Sequence, residues 1–138
     1  MLFGGGGLLF AARSRMMVKN LGEVGLIRWG AVLMALSLLL LASASWWWLS
    51  LPACFGFGLG FYMMHNTLQI NATQMAPERR GAAVAAFASC FFLGQSVGVA
   101  LGGGLLDSVG TPPLLAGAGA LILLIGLRFA RLRRNKPD

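Results

Sequence analysis

Basic residues in this chain occupy alternate gaps between four apolar stretches, and that alternation restricts the fold more than any other feature. The stretches are residues 25–42, 46–64, 82–106 and 114–127, and a short apolar stub at residues 2–12 precedes them. Arg13, Arg15, Lys19 and Arg28 lie before or at the start of the first stretch. Arg79 and Arg80 separate the second from the third, and Arg128, Arg131, Arg133, Arg134 and Lys136 follow the fourth. The gaps at residues 43–45 and 107–113 hold no Lys or Arg. Chains that cross a bilayer repeatedly leave Lys and Arg on the cytoplasmic side. The pattern predicts an all-α, multi-pass transmembrane helical bundle with four full spans and a truncated N-terminal helix stub. It also puts the C-terminus in the cytoplasm.

Composition agrees. Charged residues make up 11% of the chain and hydrophobic residues 57%, against about a quarter charged in a soluble domain. In water so apolar a chain would expose large patches; a lipid bilayer as partner removes that problem. The net charge of +7 does not point to nucleic acid, because the basic residues flank spans and no stacking platform or recognition helix accompanies them. Cys54 and Cys90 sit within apolar spans as small hydrophobes, with no CxxC or His-rich neighbourhood to suggest a metal. The stub at residues 2–12 is not a signal peptide, since its basic cluster follows the apolar run.

Along the chain, a truncated helix is expected over 1–12 and a cytoplasmic loop over 13–24. Transmembrane helices are expected over 25–42, 46–70, 82–106 and 113–128, and a cytoplasmic tail over 129–138. About twenty helical residues cross the ~30 Å hydrocarbon layer. Trp46, Trp47 and Trp48 suit the bilayer interface. Ala76, Pro77, Glu78, Arg79, Arg80 and Gly81 read as a tight cytoplasmic turn, and Gly110 with Pro112-Pro113 as a second turn on the other side.

The second span carries the unusual chemistry. Tyr62, Asn66, Gln69 and Thr73 recur at helical spacing, and His65 falls beside Tyr62 and Gln69. A polar stripe in a membrane helix turns toward protein or a water-filled cavity. Asn66 and Gln69 are therefore candidates for a cavity lining and His65 for a titrating group, with interhelical hydrogen bonding as the plainer alternative. Gln95 in the third span is a lone amide open to the same two readings. Gly56 and Gly60, and Gly94, Gly98 and Gly102, repeat every four residues and let helix backbones approach closely. The Gly4–Gly7 run lacks the Gly-Lys-Ser/Thr of a phosphate-binding loop. No catalytic triad, paired carboxylates or metal-ligand cluster is present, so neither an enzyme nor a cofactor is expected.

The run Asn71-Ala72-Thr73-Gln74-Met75-Ala76-Pro77-Glu78-Arg79-Arg80-Gly81, followed by Ala82–Phe87 and then Phe92-Leu93-Gly94-Gln95-Ser96-Val97-Gly98, resembles the C-terminal half of the major facilitator superfamily. Drug- and sugar-efflux members show a similar Pro-Glu-x-Arg-Gly loop between their tenth and eleventh helices. Residues 13–30, with Leu21-Gly22-Glu23, look like the basic loop between the eighth and ninth. The resemblance implies helices nine to twelve of a twelve-helix transporter, about a third of such a protein, with the N-terminal half as missing partner. It further implies a proton-coupled exporter of small organic molecules in a bacterial inner membrane, working by alternating access. Two rivals are a four-span dimeric transporter of the small multidrug type, whose membrane-embedded Glu has no counterpart here because Glu23 precedes the first span, and a non-transporting membrane subunit.

Overall fold

In the computed structural model, which describes residues 2–134, four helices follow one another: α1 (Leu2–Ser43), α2 (Ser50–Met75), α3 (Arg80–Val109) and α4 (Thr111–Arg134). Single 3-10 turns at Trp47–Leu49 and Pro77–Arg79 lead into α2 and α3. No strand occurs among the described residues. The all-α bundle expected from the sequence is the architecture observed.

α1 is a hairpin. At Gly22 the backbone takes φ 65° and ψ 175°, a region that is essentially closed to residues bearing a Cβ. The order of contacts shows the reversal. Before Gly22 they climb α2, with Gly5 and Gly6 against Phe55 and Gly7 against Tyr62. After it they descend, with Gly30 against Met63 and Met64 and Ser37 against Gly56. Residues 2–21 and 23–43 thus run in opposite directions along the same helix.

This corrects the expected loop at residues 13–24, which is helical as far as Leu21 and reverses at one glycine. Between Gly7 and Gly22 there is no Gly or Pro, and Leu, Ala, Arg, Met and Lys predominate, all good helix formers. The charges there do not unwind the helix. A methyl at Gly22 would meet nothing within 4 Å, so Gly22→Ala isolates the backbone term. It should cost about 1–3 kcal/mol, read as a lower unfolding temperature in detergent micelles; an unchanged temperature would show that the hairpin does not depend on glycine.

The other turns are also tighter than expected. Gly110, at φ 81°, alone separates α3 from α4. Its N–H donates to the Leu106 carbonyl at 2.9 Å, and Pro112 and Pro113 fall in the first turn of α4, where a missing N–H costs little. The expected turn at residues 76–81 ends at Arg79, so that Arg80 and Gly81 begin α3. α4 carries the basic segment as helix to Arg134; Lys136 lies outside the described residues.

Three segments are long and apolar enough to cross a membrane by length and composition: α1, Pro77–Val109 and α4. α2 is long enough, since 26 residues extend about 39 Å, but the polar residues between Tyr62 and Thr73 dilute its apolar character. It is also well enclosed. Both halves of α1 lie against it, and Phe87 and Phe91 of α3 reach it from another side. Phe10, Leu26 and Met63 form a buried cluster where the hairpin meets α2. α4 runs antiparallel to the second half of α1, with Gly119 beside Ala35 and Leu38 and Gly126 against Ala31. No residue of α3 is buried.

Candidate functional site

Two faces of α2 carry the polar side chains, and they look in different directions. On one face Asn66 and Gln69 line a groove between α2 and the first half of α1, of about 580 Å³, together with Phe10, Ser14, Arg15 and Lys19. Both amides are half-buried. The groove therefore brings two hydrogen-bonding amides and two cations over an apolar floor. Such a surface can hold a small molecule that is part polar and part apolar.

His65 lies on the other face. Its ring stacks on Phe61, with centroids 5.0 Å apart and planes at 16°. It meets Phe91 edge-on at 4.7 Å and Phe87 at 5.3 Å. The residues around it are Phe61, Met64, Leu68, Phe87, Cys90 and Phe91. The structure thus separates His65 from Asn66 and Gln69, although the helical spacing groups them. One residue along a helix is a rotation of about 100°, enough to move Asn66 from the α3 side of His65 to the α1 side; Gln69, about 40° round from His65, lies between the two and opens to the α1 groove.

The remaining candidates are dispersed. Tyr62 packs against Gly7 and Phe3 of α1. The Thr73 hydroxyl donates to the Ile70 carbonyl at 2.6 Å, a local bond within α2. Gln95 is exposed on α3, in a shallow groove with Phe92, Ser96, Val99 and Ala100 of the same helix. Gly56 and Gly60 meet α1, whereas a methyl at Gly94, Gly98 or Gly102 would have no neighbour within 4 Å. Pro77, Glu78, Arg79, Arg80 and Gly81 are all exposed.

Sequence reasoning missed one cluster. Asn71, only 3% exposed, donates through Nδ2 to Glu23 Oε2 at 3.1 Å and to the Thr67 carbonyl at 2.8 Å. Glu23 also lies 3.8 Å from the Arg133 guanidinium. Because a carboxylate and a carbonyl can only accept, the Asn71 amide has one chemically sensible orientation. Its Oδ1 is buried without a partner. The cluster joins α1, α2 and α4, and it gathers the basic segments at one end of the bundle. The only signal in the sequence was an Asn in an otherwise polar helix end; its partner Glu23 is 48 positions away.

With this geometry in place, comparison with known proteins gives one result. The family model described as Major Facilitator Superfamily matches residues 1–138. No curated protein and no solved structure matches the chain.

Proposed function

The chain belongs to the Major Facilitator Superfamily and is a membrane-transporter sequence, and from this premise we propose that it supplies one wall of an alternating-access path for small organic molecules, exported in exchange for protons. The observation that carries the reading is the groove in which Asn66 and Gln69 stand opposite Arg15 and Lys19. Two amides one turn apart are poorly tolerated against hydrocarbon unless water, protein or cargo meets them. In the proposal the basic end of the bundle faces the cytoplasm, as one-sided Lys and Arg favour. Further helices supply the opposite wall, because rocking of two halves needs both. The exposed α3, with its open Gly94–Gly98–Gly102 face, offers them a surface.

The test uses everted membrane vesicles from cells expressing this chain with its adjoining coding sequence, with ethidium as cargo. Asn66→Ala with Gln69→Ala should reach the membrane in normal amounts and slow proton-driven ethidium movement about tenfold, the scale of one or two lost hydrogen bonds. His65→Phe serves as the companion variant, since an aromatic ring satisfies the neighbours His65 has. Parental transport by the double variant would reduce the stripe to helix packing. Failure of that variant to accumulate would make the amides structural. A pH profile altered only in His65→Phe would return the proton path to the α2–α3 side.

A further inference from the structure

At the basic end of the bundle, Arg28 of α1 and Arg131 and Arg134 of α4 line one cavity of about 310 Å³, whose apolar wall is Val24, Leu127 and Ala130. All three arginines are exposed. No carboxylate among the described residues lines the cavity. Glu23, which precedes the lining residue Val24, is turned to Arg133 and Asn71. Three arginines around one space, with no counter-charge among the described residues that line it, leave a concentrated positive potential that an anion would relieve.

A second groove shares Leu127 and Arg131 with the first and continues along α4 past Leu124. Leu121, Leu124, Ile125 and Leu132 of α4 are each more than 60% exposed, and Trp29, next to Arg28, is 56% exposed. The surface around the cavity is therefore one that lipid covers. Its order runs from three arginines at the bundle end to leucines deeper in the apolar layer, which is the order of chemistry in a phospholipid. A soluble anion would use only the arginines.

We propose that Arg28, Arg131 and Arg134 bind the phosphate of an anionic phospholipid headgroup, with an acyl chain lying along Leu124 and Leu127 of α4. Basic pockets between membrane helices take such headgroups because each Lys or Arg near the surface adds to the attraction, and guanidinium groups meet phosphate oxygens with paired N–H donors. The inference rests on the membrane placement alone, so it stands whether or not the transport reading does.

Native mass spectrometry of the purified full chain, with phosphatidylglycerol and phosphatidylcholine in equal amount, tests it. The chain should retain phosphatidylglycerol preferentially. Each Arg→Gln change at 28, 131 or 134 should lower the preference about fivefold, and the triple Arg→Lys variant should keep most of it. Arg13→Gln with Arg79→Gln and Arg80→Gln removes three charges at the same end but outside the cavity, more than any of the single changes, and should keep the preference. Equal retention of the two lipids would overturn the proposal. So would an equal loss in the Arg13, Arg79 and Arg80 variant, which would reduce the effect to bulk charge. Displacement of the lipid by an equal concentration of soluble glycerophosphoglycerol would assign the arginines to a free phosphate ester instead.

Discussion

Gly60→Val should take the bundle apart where α2 crosses the second half of α1. A methyl at Gly60 would stand 2.7 Å from the Gly30 carbonyl oxygen and 3.0 Å from the Met34 backbone nitrogen. The reverse also holds, since a methyl at Gly30 would stand 2.8 Å from the Gly60 carbonyl oxygen. Neither obstacle is the end of a flexible side chain, so no rotamer change relieves the collision. α2 must move away from the second half of α1, and the contacts of Met63 and Leu26 around the crossing go with it. Overpacking a tight site costs about 1–3 kcal/mol, and backbone separation adds lost dispersion along both helices. A total of about 3 kcal/mol or more is expected, seen as loss of the near-ultraviolet signal of the tryptophans at temperatures where the parent is folded. Gly98→Val is the control. It has the same four-residue repeat in the sequence but no atom within 4 Å of the added carbon, and should fall within about 0.5 kcal/mol of the parent. Equal effects at the two positions would show that glycine acts through helix propensity and not through close approach.

The contrast between Gly60 and Gly98 shows what the sequence could and could not convey. A small residue every fourth position says that a helix can be approached closely; it does not say by what. Gly56 and Gly60 are covered because the α1 hairpin returns alongside α2, and Gly94, Gly98 and Gly102 are open because, among the described residues, no helix reaches that side of α3. The spans were legible because apolar length is a local property that the bilayer thickness converts directly into helices. The turns were less so. Arg13, Arg15 and Lys19 suggested a loop because charge reports depth in the membrane, while backbone conformation over the same residues followed their helix propensity until Gly22. His65 and Asn66 went to different neighbours for a related reason. Periodicity ranks the faces of α2 but cannot tell that two adjacent faces are both occupied, one by α1 and one by α3. Asn71 lay inside the run that carries the family resemblance, yet its pairing with Glu23 needs α1 to reverse at Gly22 first, and no local pattern encodes that.

The pair Glu23 and Asn71 should behave as one unit. Of the side-chain hydrogen bonds among the described residues, theirs is the only one that links two helices; the others return to carbonyls three or four positions away. The Arg133 contact contributes little by itself, because at 3.8 Å, with side chains 30% and 45% exposed, it is screened as a surface pair is. The bond from Asn71 to the carboxylate is the stronger member: it is assisted by charge and one partner is buried, for about 1.5–3 kcal/mol. Glu23→Ala should therefore destabilise by about 2 kcal/mol, because it strips Asn71 Nδ2 of one acceptor while Oδ1 already has no donor. Asn71→Leu should cost much less, since leucine removes the unpaired oxygen and fills similar space at a buried site. The informative quantity is the difference between backgrounds. In the Asn71→Leu background Glu23→Ala has only the exposed Arg133 contact to lose, and its cost should fall below about 1 kcal/mol. A double-mutant cycle by thermal unfolding in micelles should thus return a coupling of about 1–2 kcal/mol. Additive effects would mean that the carboxylate acts on the basic end through its charge alone. In that case high salt should erase the Glu23→Ala effect, which a partly buried hydrogen bond would resist.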